Sequence, residues 1–441
     1  MKRRGILLFL GVAVLGFLAL NSPALAGAPS DEKITLRLLT YFTSADPVTP
    51  MYAAVYKQFQ QDFPNVTIEH EGLESANART KLTIEMASGN PPDISYMVTS
   101  LGQQFGKDKL LLDFRPVLAD DKKWMSTFYP AALDAFTFGG KMFLVPVNIH
   151  VGGLYYNKDV LKKAGLLAPP ATWSELMQQV KKIKATGAFP FVTGGKDFRY
   201  AWLITQLILR TGGAERLKAM ADGKEVTGWD KPENGFIDAL KLLKEMIDAG
   251  AFPSGLNGMA RDVSRMMFVQ NRAAMYYEGT WKIGVWEMLG GPAFLENVGW
   301  TTFPTVEGAK GDQDGIVGGP VLGWGISGLL TGKKRDMAVE LVKRLTSQQI
   351  STRMLLEIKQ PTGTIPAESA LGQIHPMLAA QLRLYHQAKH VALPVDVNMV
   401  PPVDNAIKKI AVPAIVDGSM TPEQAATEVN KYAKEFFATA K

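Results

Sequence analysis

Residues 34–39, within KITLRLLTYFTS, alternate apolar and polar side chains with β-branched residues near the start, which predicts a strand ending in a polar turn. In the following PVTPMYAAVYKQFQQDFP, the apolar Ala54, Val55, Phe59 and Phe63 recur at helical spacing and stop at Pro64. NVTIEHEG then reads as a second strand, ANARTKLTIEMASG as a second helix closing on Gly89, and PDISYM as a third strand. A β-α-β-α-β run requires parallel strands with right-handed crossovers. Its loops after each strand therefore gather on one edge of the sheet, where α/β folds bind ligands.

Beyond this unit the pattern changes. Helical segments dominate residues 174–184, 200–211 and 234–249, which predicts a second, helix-rich lobe. GGKMFLVPVNIHVGGLYYNKDVLKKAG reads as a hairpin turn, a strand entering Pro146, a strand through 154–156 and a helix from about Lys158, and marks the first crossing between lobes. A Gly- and Pro-rich return follows in TTFPTVEGAKGDQDGIVGGPVLGWGIS, then the helical KKRDMAVELVKRLTS. Local chemistry explains several residues without any ligand. Pro91 and Pro92 end a helix and start a strand, Asn157 and Asp159 can cap the helix near Lys158, and Thr172 caps the helix bearing Trp173 with Glu175 as its capping-box partner.

The first residues belong to no fold. Lys2, Arg3 and Arg4 precede an apolar run over 6–20, too short to span a bilayer, and Ala24-Leu25-Ala26 supplies small residues at peptidase spacing. A signal peptide over 1–26, cleaved after Ala26, is expected, and no later segment approaches membrane-spanning length without Gly, Pro or charge. The chain has no cysteine, which excludes disulfides, thiolate metal sites, a cysteine nucleophile and a lipidated N-terminal cysteine. Removing Lys2, Arg3 and Arg4 takes the formal charge from +6 to about +3, and lysines such as Lys181, Lys182 and Lys184 read as solvated helix face. No nucleic-acid partner is expected.

Enzyme signatures are sparse. The five histidines, at 70, 150, 375, 386 and 390, form no HExxH, and His386 and His390, four apart, read as a solvent-facing pair. There is no GxSxG elbow or Walker loop. A glycosidase remains an alternative, because its two carboxylates are related in space and not in sequence.

FQQDFPNVTIEHEG, KLTIEMASGNPPDI, GGKMFLVPVNIHVGGLYYNKDVLKKAGL with PPATWSEL, MMFVQNRAAMYYEGTW, GGPVLGWGIS and GSMTPEQAATEVNKYAKEFF occur in an order that resembles the extracellular solute-binding proteins of ABC importers, in the branch that includes maltose-binding protein. The resemblance covers nearly the whole chain after the signal. It implies an α/β, periplasmic-binding-protein-like fold: two α/β lobes joined by hinge strands with a ligand cleft between them. The expected lobes are 27–147 with 307–346 and 148–306 with 347–441, linked near 146–150, 303–307 and Thr346. It further implies a monomeric, exported periplasmic receptor, not an enzyme, that needs no cofactor or metal, binds a sugar or short oligosaccharide, and docks on the membrane permease subunits. The same fold binding a glycerophosphodiester, a polyamine or a ferric ion is the alternative, the last because Tyr155-Tyr156 and Tyr276-Tyr277 are adjacent pairs.

A sugar presents hydroxyl rims and apolar ring faces, so its site needs polar groups beside aromatic platforms. Candidates are Phe42, Thr43 and Ser44 after the first strand, Ser75 and Asn77 after the second, and Thr99 after the third. Asn148 and His150 follow Pro146 on the crossing strand, and the second lobe offers Tyr200, Trp202, Glu278 and Trp281. By resemblance, Trp281 stacks on the sugar. Gly318 and Gly319 would admit close backbone approach, and Trp324, Thr364, Asn398 and Asp404 complete the candidates. Trp124, Trp173, Trp229, Trp286 and Trp300 are expected to be packing residues.

Overall fold

Strand β1 (Ile34–Thr40) buries Ile34, Leu36 and Leu38 while Thr35 faces solvent, as its alternation requires. This computed structural model describes residues 32–196, 198–224 and 228–439, so the expected signal peptide lies outside the described residues. β1 pairs in parallel with β2 (Val66–Gly72) and β3 (Ile94–Val98), with helices Val48–Asp62 and Ser75–Ala87 as the crossovers. A small hairpin, β4 (Thr137–Phe138) and β5 (Lys141–Met142), precedes β6 (Val145–Val151) and β7 (Gly153–Asn157). The remaining strands are β8 (Phe189–Phe191), β9 (Ala273–Glu278), β10 (Val298–Thr301), β11 (Ile316–Ile326) and β12 (Val391–Ala392).

They form two main sheets. The first has the order β12-β11-β3-β1-β2, with β6 also antiparallel to β11, and the second has the order β10-β7-β9-β8. Each supports its own core. Leu36, Phe59, Met97, Phe114 and Trp324 belong to the first, while Leu154, Leu207, Trp229, Leu240 and Phe303 belong to the second. A satellite cluster around Tyr155, Phe268, Tyr276 and Trp286 extends the second lobe. No helix among the described residues is long and apolar enough to cross a membrane.

The crossings between cores differ in place from those expected. Val147 packs in the first core and Leu154 in the second, so the first link is the β6–β7 junction. Residues 303–307 are docked on the second lobe: Trp173 N donates to Thr305 O at 2.7 Å and Ser174 N to Glu307 Oε1 at 3.2 Å. The fully buried Arg210 explains this, since its guanidinium donates to the carbonyls of Phe303, Pro304, Asp312 and Gly315 and holds the loop down. The second link is β11 itself, with Val317 in the second core and Val321, Trp324 and Ile326 in the first. The third comes after Thr346, because Ile350, Met354 and Ile358 still pack in the first core.

The helix caps follow the local sequence closely. Asn157 Oδ1 accepts from Val160 N at 3.1 Å and Thr172 Oγ1 from Glu175 N at 3.3 Å. Glu175 returns its bond to Ala171 N at 2.8 Å, and Asp159 sits inside the first turn of Lys158–Lys163 without being its cap.

Candidate ligand-binding cleft

Strand alternation on β6 sends Asn148 and His150 to one side of the linking strands and Ile149 to the other. On the Asn148 side lies a cleft lined by residues of both lobes. The first lobe contributes Tyr41, Phe42 and Asp46 after β1, Ser75 and Arg79 from the start of helix Ser75–Ala87, and Tyr96 from β3. The second contributes Arg199, Trp202, Arg261, Arg265 and Trp281, and Gln360 and Asp396 also line it.

The aromatic wall is built around Trp281, which is half-buried at the start of helix Lys282–Asn297. Its ring meets His150 at 4.5 Å and Trp202 at 4.9 Å, both edge-on, and the Arg199 guanidinium lies 5.7 Å over it. Arg199 is fixed by a bidentate pair to Glu278, with Nε to Oε1 at 2.9 Å and Nη2 to Oε2 at 3.1 Å. Glu278 is fully buried: burial would raise its pKa, but Arg199 and then Lys282 overcome this and hold it below the usual carboxylate range. The equally buried Lys282 amine is driven down by desolvation and lies 4.5 Å over Tyr276, 3.8 Å from Glu278.

His150 anchors a polar chain through the linking strand. Tyr96 Oη donates to Asn148 Oδ1 at 2.8 Å, which turns Asn148 Nδ2 towards His150 Nε2 at 3.2 Å. That order assigns the imidazole proton to Nδ1, donating to Thr280 Oγ1 at 3.0 Å. Burial, reinforced by Arg199, pushes the His150 pKa down to about 3, so the ring is neutral at pH 7.

Charged residues also bridge the two lobes. Arg265 Nη2 lies 3.3 Å from Asp46 Oδ1, Arg261 Nη2 lies 3.6 Å from Asp46 Oδ2, and Arg261 also pairs with Glu74. Burial would raise the Asp46 pKa, but Arg261 and Arg265 together with the Thr43 bonds lower it. Across the cleft, Arg79 Nη2 meets Asp396 Oδ2 at 3.1 Å.

Of the residues expected at the site, Phe42, Ser75, Asn148, His150, Trp202 and Trp281 meet here. The others lie elsewhere. Thr43 acts through Asp46, donating to Oδ2 at 3.0 Å, while Ser44 and Asn77 face solvent. Thr99 is buried at a helix start, Tyr200 is buried with its hydroxyl donating to Asn257 Oδ1 at 3.1 Å, and Glu278 stands behind Arg199. Gly318 and Gly319 serve strand pairing instead of ligand approach: they oppose Val151 and His150, and a Cβ on Gly318 would come within 2.7 Å of His150 O. Trp324 is a first-core residue packed on Tyr96 at 5.1 Å and Tyr52 at 5.7 Å. Thr364 Oγ1 donates to Thr346 O at 3.0 Å, Asn398 ends the short helix Val395–Asn398 outside the cleft, and Asp404 is buried against Lys408.

The residues that sequence reading missed are mostly charged: Asp46, Arg79, Arg199, Arg261, Arg265 and Asp396. One signal was present, since Arg261 and Arg265 are four apart in RDVSRMMF and so share a helix face. The tyrosine pairs have structural places. Tyr155 and Tyr276 are fully buried, and Tyr277 Oη donates to Gln206 Oε1 at 2.7 Å. Burial raises all three phenols, which opposes tyrosinate formation.

Residues 43–350 match the family model of the bacterial extracellular solute-binding protein. A putative binding protein of Brucella abortus is 29% identical over 276 residues, 60% of this chain and 61% of that protein. A probable sugar-binding periplasmic protein of Rhizobium meliloti is 28% identical over 216 residues, 48% of this chain and 50% of that one. The chain thus spans about half to three-fifths of the length of these curated relatives. Among solved structures, a chitin oligosaccharide binding protein superposes with a TM-score of 0.81 at 26% identity, covering 91% of this chain and 98% of that one. A maltose-bound Thermotoga maritima protein, at 21% identity and a TM-score of 0.71 over 91% of this chain and 99% of that one, shares the fold, which is that of the periplasmic solute-binding proteins.

Proposed function

Because the chain belongs to the bacterial extracellular solute-binding proteins, we propose that it is the receptor of an ABC importer and captures a sugar or short oligosaccharide in the interlobe cleft. The observation that carries this reading is the pairing of walls. An indole cluster of Trp281 and Trp202 from one lobe and Phe42, Ser75 and Arg79 from the other line one cleft with Asn148 and His150 of the linking strand, and the Arg79–Asp396 pair spans it. Rings of that kind take the apolar face of a pyranose, and the fixed donors and acceptors take its hydroxyls. The relative that binds chitin oligosaccharide and the sugar-binding relatives lend support at the level of ligand class.

In this reading the chain is exported, closes by hinge motion about β6, β11 and the segment after Thr346, and delivers the sugar to permease subunits. Ligand contacts to both lobes bias the closed state, and only such differential contacts can move the equilibrium. The arrangement does not favour an enzyme: His150 is buried, neutral and fully hydrogen-bonded, and Glu278 is locked in its bidentate pair. The experiment is calorimetric titration of the purified protein with xylo-, chito-, malto- and gluco-oligosaccharides, with product analysis of the same mixtures. Binding without turnover is expected; turnover, or no binding to any saccharide, would overturn the proposal.

A further inference from the structure

We propose that the groove behind the linking strands is a second ligand site, suited to an uncharged aromatic molecule and separate from the sugar cleft. Ile149 leaves β6 on the face opposite Asn148 and His150, and Pro320 of β11 pairs directly with it, so the two side chains share that face. Ile149 N also donates to Pro361 O at 3.3 Å, which brings the third link alongside. These residues line a groove walled by both lobes. The first lobe supplies Tyr129 and helix Pro130–Ala135, which packs on its core through Leu133. The second supplies Leu371, Ile374 and helix Pro376–Gln387, anchored in the satellite cluster by Leu378. Leu371 is 51% exposed and Tyr129 39%, so a ligand can reach the groove from solvent.

The chemistry of the lining selects the occupant. No Asp, Glu, Lys or Arg is among the described residues that line the groove, whereas the sugar cleft holds four arginines and two aspartates. The hydroxyls in its wall are already bound to one another and to the backbone. Ser351 Oγ lies 2.7 Å from both Thr362 Oγ1 and Thr364 O, and Thr364 Oγ1 donates to Thr346 O at 3.0 Å. An ion would lose its hydration here without gaining a charged partner. What the groove presents instead is flat apolar surface: the rings of Tyr129 from one lobe and Tyr385 from the other, together with Pro320, Pro361 and Pro366. Burial alone raises both phenols, so each is a neutral hydroxyl at pH 7. Aromatic faces gain most from an aromatic partner, which favours a planar ring over an aliphatic chain.

The test is calorimetry on the purified protein with naphthol, set against the anion naphthoate and the saturated, puckered decahydronaphthol. One naphthol per chain is expected to bind, at least tenfold more tightly than either comparator. Leu371→Glu on the second lobe and Ala135→Glu on the first bring a carboxylate to the groove from exposed positions, and each should weaken naphthol binding at least tenfold. Should one of these variants melt early, the other decides. Trp281→Ala should leave naphthol binding unchanged, which separates the groove from the aromatic wall of the sugar cleft. No saturable binding of naphthol, equal binding of either comparator, a loss confined to Trp281→Ala, or a normally melting groove variant within twofold of the parent would overturn the site. Saccharide binding is titrated separately, so failure here leaves sugar capture standing.

Discussion

Trp281 concentrates the residue-level argument, because its position is set by charge as well as by packing. Trp281→Ala should weaken binding of the best saccharide by about 1–3 kcal/mol through lost stacking and apolar contact, read by calorimetry. His150 gives a pH-dependent counterpart. Below pH 6.5 the unfolded chain takes up a proton at this position that the folded chain refuses until about pH 3. The stability it contributes is therefore complete above pH 6.5 and declines as the pH falls towards 3. Between pH 7 and 5 the loss should be about 2 kcal/mol, and urea unfolding of His150→Gln should show a fall smaller by that amount. An equal fall in parent and variant would place the titration elsewhere. Phe42 could be found from sequence because it follows a strand end, and Asn148 and His150 because they alternate on the strand after Pro146, whereas Trp281 was found through the family resemblance of its motif. Arg79, Arg199 and Asp396 could not, since a lone charged residue on a helix or in a turn reads as solvated surface until tertiary structure supplies its partner.

At the level of elements, period and punctuation fixed most of what mattered. The alternation over 34–39 and the helical spacing ending at Pro64 became β1 and helix Val48–Asp62, although the stripe the helix buries is Val48, Met51, Tyr52, Tyr56 and Phe59, with Ala54 exposed. The caps were equally local. Asn157 does more than cap, however: Oδ1 also accepts from Asn297 Nδ2 at 3.0 Å, and Nδ2 donates to Asn271 Oδ1 at 2.6 Å. Asn157→Ala should therefore destabilise the protein by about 2 kcal/mol, the upper end for a lost cap, with the saccharide Kd unchanged because the residue is outside the cleft. Chemical denaturation and calorimetry on the same variant separate these outcomes. The glycines of β11 were misread for a reason that belongs to this level too, since a ligand and a paired strand make the same demand on a residue without Cβ.

For the molecule as a whole, lobe membership was visible in outline and its boundaries were not, because the loop held by Arg210 follows long-range hydrogen bonds that no periodicity announces. The same blindness hid the bridge between lobes. Arg261 and Arg265 are almost wholly buried, and they meet Asp46, the carbonyl of Ala45 and the hydroxyl of Thr43 across the cleft. An exposed ion pair would contribute little, but Asp46 is the carboxylate both guanidiniums share across the cleft, so removing its charge leaves them only Glu74 and Asp262 while, on the proposed hinge motion, the lobes are shut. On the proposed hinge motion, opening would rehydrate them. Asp46→Asn should therefore penalise the closed state selectively, weakening saccharide binding about tenfold, or about 1.4 kcal/mol, chiefly through faster release. Stopped-flow release rates and the radius of gyration of the saturated protein by X-ray scattering read the two consequences separately. A variant that releases sugar at the parent rate and closes to the same radius would mean that sugar contacts alone, and not this bridge, hold the lobes together.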